Sequence, residues 1–170
     1  ATADLVEIDN ELGRAILRVL VTDRVAPGQP FAPIHWTGET ASAARVDALV
    51  AANADPISGQ PDLKGAGVSL RKFAARWHGF AVSTQDFRPD CAYWAKAKVA
   101  GGWRVELAGD VVHEDWVAHA RGLFALPKAE AATVIDRARG LARVVAYQVY
   151  NNVNHPIATL RLDFTALAET

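Results

Sequence analysis

In the first part of the chain, proline and glycine recur so often that no long helix has room to form. Residues 26–30, Ala-Pro-Gly-Gln-Pro, make a turn, because proline fixes φ and glycine supplies the positive φ that other residues resist. Pro33 confines residues 31–36, Phe-Ala-Pro-Ile-His-Trp, to a short extended segment at an edge or a bulge. Residues 55–64 form a loop held by two prolines and a glycine. The stretches left between these breaks have strand length. Leu5-Val6-Glu7-Ile8 alternates, Asn10 to Gly13 looks like a turn, and residues 15–22 are an almost continuous apolar run, as in a strand buried on both faces. Residues 67–73 alternate again and read as a closing strand. Thr37 or Thr40 can cap a short helix through Ala41, Ala44 and Leu49, but no amphipathic stripe develops. Residues 1–75 are therefore expected to be mostly β.

Residues 76–170 read as a smaller α+β region, the change of character falling near residues 73–86. Residues 80–83, 92–99 and 103–108 are expected strands, the last two joined as a hairpin by Gly101-Gly102. Residues 114–126 place Trp116, Val117, Ala120, Leu123 and Phe124 at helical spacing, ended by Pro127. Residues 128–139 read as a second helix, with Ala129, Ala132, Ile135 and Ala138 on one side and Gly140 as its stop. Strands follow at 141–150 and 157–164 around an Asn-rich turn. The expected fold class is mixed but mainly β.

Composition narrows the functional classes. The 170 residues are 51% hydrophobic and 22% charged, enough to bury a core. A net charge of −1 supplies no field to gather nucleic acid or an anionic membrane. No run approaches the roughly 20 apolar residues that span a bilayer. The first residues carry no basic and apolar pattern of a signal peptide, and the lack of any methionine fits a piece of something longer. Cys91 is the single cysteine, so no internal disulfide, thiolate zinc site or iron–sulfur cluster can be built.

The familiar catalytic motifs fail on spacing. His113 and His119 lie six apart, roughly 240° around a helix, where a zinc helix needs four. Gly65-Ala66-Gly67 lacks the third glycine and helix start of a dinucleotide fingerprint. Gly59 and Lys64 lack the ending of a P-loop, and no serine sits in a nucleophile elbow. Cys91 beside Tyr93 and Trp94 reads as a small buried hydrophobe. Two clusters remain: His35-Trp36 after Pro33, and the 55–64 loop closed by Lys64, whose ammonium and backbone amides can meet a phosphate. Their ordinary reading is a core tryptophan, a locally bonded histidine and a rigid turn.

Residues 21–36, Val-Thr-Asp-Arg-Val-Ala-Pro-Gly-Gln-Pro-Phe-Ala-Pro-Ile-His-Trp, resemble the C-terminal molybdopterin-dinucleotide-binding domain of bacterial assimilatory nitrate reductases, within the molybdopterin oxidoreductases. Residues 45–49, Arg-Val-Asp-Ala-Leu, and 55–64, Asp-Pro-Ile-Ser-Gly-Gln-Pro-Asp-Leu-Lys, continue the resemblance in order. It is strong over residues 4–73, looser through Tyr93-Trp94, residues 103–109 and 136–143, and ends before Gln148.

The resemblance implies a partial double-psi β-barrel over 1–75. It implies a cytoplasmic enzyme that reduces nitrate to nitrite at molybdenum, binding molybdopterin guanine dinucleotide when complete, with none expected on this chain alone. The implied partners are the rest of the catalytic subunit and a flavin or ferredoxin electron donor, with no nucleic acid and no membrane. Carried over by position, Lys64 matches a lysine that contacts the cofactor, and Asp47 stands where the family has a cofactor-contacting asparagine. His35 or Trp36 falls near the substrate entrance. Asp47 departs from the pattern, because a carboxylate only accepts hydrogen bonds and repels phosphate unless a cation such as Arg45 offsets it. No residue of this chain is expected to be catalytic or to hold a metal. The alternatives are another molybdopterin oxidoreductase, such as formate dehydrogenase, and a non-catalytic stand-alone β-barrel binding module.

Overall fold

The computed structural model describes residues 1–111, 113–123, 130–136, 138–150 and 153–163. The chain divides into two compact units, Ala1–Phe73 and Ala74–Thr170.

The first unit is built on a three-stranded antiparallel sheet of β1 (Leu5–Asp9), β2 (Arg14–Arg18) and β3 (Ser69–Lys72), with β1 in the middle. Alternation sends Val6 and Ile8 to one face, where they pack with Ala15, Leu17, Leu49, Val46 and Val68. Glu7, on the opposite face of the central strand, meets guanidinium groups from both flanking strands. Arg14 stands 2.7 Å away, Arg71 is also paired to it, and Arg71 reaches Asp9 at 2.9 Å. A nearly buried carboxylate is tolerable there only because both neighbours supply cations.

Three expectations for this unit change. The apolar run 15–22 contributes only Arg14–Arg18 to the sheet, and Leu20 and Val21 are exposed. Residues 31–36 pair with no strand; three prolines within seven residues remove the amide donors a ladder requires. The short helix is a single 3-10 turn, Val46–Leu49, while Thr37 and Thr40 close a separate turn on each other. Ala41, Ala44 and Leu49 are nonetheless buried.

The second unit is a six-stranded antiparallel sheet in the order β5-β6-β4-β9-β8-β7. Its strands are β4 (Trp77–Ser83), β5 (Tyr93–Val99), β6 (Gly102–Gly109), β7 (Glu130–Asp136), β8 (Leu141–Tyr150) and β9 (Val153–Asp163). One face is buried through Trp77, Ala81, Trp94, Val105, Leu107, Val144, Leu160 and Leu162, with Phe87, Ala120 and Leu123 packed on it. Ala120 and Leu123 come from and just after helix α1 (Trp116–Gly122), whose first amides are capped by the Asp115 carboxylate at 3.0 Å. Trp77 fits because residue 109 is glycine: a Cβ there would lie 2.4 Å from the indole.

The expected hairpin forms with Val99 opposite Gly102, its turn being Ala100-Gly101 with positive φ at Gly101. The second helix does not form. Residues 130–136 are strand β7, because Thr133, Val134 and Ile135 are three consecutive β-branched residues and β8 offers a full ladder from Glu130↔Tyr147 to Asp136↔Leu141. Gly140, at φ 59°, turns that hairpin and stops no helix. Among its described residues the second unit is mainly β with one short helix where two were expected, and it is the longer of the two units. Neither sheet closes into a barrel among the described residues. Phe124, Leu126 and Phe164, drawn into the expected elements, lie outside those residues.

Candidate functional site

Asn10 organises the first unit's loops. It sits in the β1–β2 turn, where its carbonyl oxygen accepts from the Leu12 and Gly13 amides at 3.0 and 3.1 Å. Its amide nitrogen donates to the Leu49 carbonyl at 2.8 Å and to the Gly67 carbonyl at 3.3 Å. Every hydrogen-bonding position of the side chain is used. One amide therefore ties the end of the Val46–Leu49 turn, which carries Asp47, to the segment just after Lys64. Gly13 lets this happen at close quarters, since a Cβ there would lie 2.4 Å from the Ala48 carbonyl oxygen. Beside the tie lies an open cleft of about 390 Å³, lined by Asn10, Glu11, Leu12, Leu49, Ala51, Ala66 and Gly67.

Asp47 is clamped by the neighbour its chemistry called for. Arg45 Nε and Nη2 donate to the two carboxylate oxygens at 3.3 and 2.7 Å. That bond holds the Asp47 carboxyl below its usual range. The pair is exposed, so its value here is orientation and charge compensation more than stability.

The 55–64 loop is closed on itself. Asp55 accepts from the amides of Ile57 and Ser58 at 3.1 and 2.7 Å and from the Ser58 hydroxyl at 2.9 Å, and these bonds lower its pKa. The Asp55 amide donates to the Gln60 carbonyl, the Asp62 amide to that of Asn53, and Ala54 bridges Pro61. Gly59 supplies the positive φ, at 69°. Ile57 stands at the tip, 95% exposed. Lys64 follows, exposed, with its backbone amide toward Asp62 at 3.4 Å.

His35 and Trp36 lie on the exposed stretch before the Thr37–Thr40 turn, Trp36 at 38% exposure and outside the core. The structure thus brings the Asp47 and Lys64 segments to one tie. No hydrogen bond or ion pair among the described residues joins His35 or Trp36 to them. Sequence reasoning missed Asn10 as a tie. The turn it starts was legible, but its partners lie 39 and 57 residues away.

In the second unit, Lys96 is a buried cation, its side chain 1% exposed, paired with Asp86. Its ammonium lies 5.6 Å from the Trp94 ring and 4.9 Å from that of Trp103. Cys91 is the inert thiol expected: burial pushes its pKa up to about 12, and it donates to the Tyr93 carbonyl. His113 and His119 stack at 3.4 Å, but no group of three metal-ligating side chains occurs among the described residues. Among the described residues no helix is long and apolar enough to cross a membrane.

Residues 1–67 match the profile of the Molydopterin dinucleotide binding domain. A nitrate reductase of Klebsiella oxytoca is 32% identical over 115 residues, 67% of this chain and 13% of that protein. A nitrate reductase of Synechocystis sp. (strain ATCC 27184 / PCC 6803 / Kazusa) is 47% identical over 58 residues, 34% of this chain and 8% of that protein. The chain therefore spans a small fraction of these relatives' length. No solved structure matches.

Proposed function

We propose that the chain, whose residues 1–67 match the profile of the molybdopterin dinucleotide binding domain, is the C-terminal, cofactor-holding share of a molybdenum-dependent nitrate reductase. The observation that carries this reading is the Asn10 tie, which gathers the Asp47 and Lys64 segments within the domain. The likeness to the Klebsiella oxytoca nitrate reductase runs over 115 residues and so past the domain, favouring nitrate over formate and an enzyme piece over a stand-alone module.

The residues present fit the cofactor's chemistry. Lys64 offers an exposed ammonium beside a preformed loop, suited to a pyrophosphate. Asp47 would act through Arg45: the fork holds the guanidinium in place and cancels the carboxylate's repulsion of phosphate. Bound in the complete enzyme, the cofactor supplies the molybdenum at which nitrate gives up an oxygen atom.

Six large apolar side chains between residues 20 and 36, Leu20, Val21, Val25, Phe31, Ile34 and Trp36, are exposed, Phe31 at 78%. We assign this surface to contact with the remainder of a longer chain, with His35 and Trp36 on the wall of the substrate funnel. No further strand pairs with β3 at the edge of the three-stranded sheet among the described residues, whereas β2 is met on its outer side by the Ala43 carbonyl at Ile16; strands from the rest of a longer chain would complete the double-psi barrel.

The test is Lys64→Ala in the full-length enzyme, read as molybdenum and pterin per protein. Loss of one charge-assisted contact, about 1.5–3 kcal/mol, should weaken cofactor retention roughly tenfold or more, with Lys64→Arg partly restoring it. Full cofactor content in Lys64→Ala would refute the assignment.

A further inference from the structure

We propose that the open face of the six-stranded sheet docks the carboxylate-rich surface of a partner protein, a reading independent of the cofactor assignment. The strand register places Glu106, Phe80, Arg161, Arg143 and Val134 in one row across β6-β4-β9-β8-β7. The next row is Arg104, Val82, Thr159, Val145 and Ala132. Arg143 and Arg161 stand directly opposite each other on neighbouring strands, both exposed. Like charges so placed are unfavourable in an antiparallel pair. Neither guanidinium, nor that of Arg104, has a carboxylate at ion-pair distance among the described residues. Arg104 lies two strands from Arg161, about 10 Å across the sheet.

The same face exposes Phe80 and Val82, 45% and 46% accessible, between Arg104 and the arginine pair. Glu106 shares the first row and stands two residues from Arg104 on β6, Asp163 lies opposite His78, Glu130 is bonded by Tyr147 at 3.3 Å, and Asp136, two residues beyond Val134, is paired with Arg139. The last three lie toward the strand ends. The two central rows hold three guanidinium groups and one carboxylate, Glu106, around an apolar strip. Arginine and aromatic groups together are what protein interfaces use as anchors, and a partner's carboxylates would relieve the Arg143–Arg161 repulsion.

The probe is a synthetic Glu-Glu-Leu repeat peptide, titrated into the 170-residue chain by calorimetry, with a Lys-Lys-Leu repeat as control. The acidic peptide should bind and weaken about tenfold or more as salt approaches ~1 M. The double variant Arg143→Glu/Arg161→Glu should lose binding at least about tenfold, whereas Lys72→Glu in the other unit leaves it unchanged. Absence of binding, equal binding of the basic peptide, or insensitivity to the double variant would overturn the proposal. So would displacement of the peptide by duplex DNA or phosphatidylserine vesicles at equal charge. In the full-length protein without partner, Arg161 should react with phenylglyoxal; its protection there would overturn the proposal, because the same chain would then cover the face.

Discussion

Asn10 shows how one side chain can set the geometry of segments far apart in sequence. Asn10→Ala removes both donors and both acceptors while leaving the Leu49 and Gly67 carbonyls partly solvated. Unfolding by urea should show a loss of about 1–2 kcal/mol, and an unchanged midpoint would mean the tie is incidental. The residues themselves announced only half of this. The Asn-x-x-Gly pattern marked a turn, but a local pattern holds no information on which distant carbonyls a free amide will reach. Lys64 and Asp47 were legible as charged groups on loops, and Arg45 as the neighbour able to offset Asp47, because that pairing is local. His119 carries a second consequence. Burial first, and then the stacked His113, hold its pKa down to about 4, with Asp90 opposing. The unfolded chain then binds a proton that the folded chain refuses between the ordinary histidine value and about 4. Stability is therefore full above about pH 6.5 and falls as pH is lowered through this window. Melting temperatures from pH 7 to 4 should fall less steeply in His119→Gln than in the parent; parallel curves would exclude His119 as the source.

At the scale of elements, register makes a prediction that composition could not. Arg143→Glu converts a repelling cross-strand pair into an attracting one, and stability should rise by about 0.2–1 kcal/mol. A lower melting temperature would show that the arginine stem packs on the sheet in a way that the charge argument neglects. Alternation in β4, β6 and β8 was readable directly, since a half-buried strand repeats every two residues. Strand β7 was not, because Ala129, Ala132, Ile135 and Ala138 mimic a helical stripe, and alanine suits either structure. The deciding facts were the β-branched run Thr133-Val134-Ile135 and the neighbouring β8, which offers a full ladder that no local stripe reveals. The 31–36 segment departs the other way: Pro33 marked it for an edge or a bulge, yet with Pro27 and Pro30 just before it the stretch pairs with no strand at all.

For the whole molecule, the chain spans 13% of the Klebsiella oxytoca relative and holds one cysteine. On the proposed reading it lacks the parts that bind and reduce nitrate, so the purified chain should show no nitrate reductase activity with a dye reductant. Turnover above the buffer blank would end the fragment reading. The self-closed loop at 55–62 has a consequence of its own. Its shape is held by Asp55, Ser58, Gly59 and Gln60 within the loop and by Asn53 and Ala54 at its stem, all within a stretch of neighbouring residues. Conformational freedom that a floppy loop would surrender on meeting a ligand has already been surrendered during folding. Association at this loop would then be limited by desolvating Lys64 and Ile57 rather than by a search through backbone shapes, so its rate should respond to ionic strength and viscosity more than to loop rigidity.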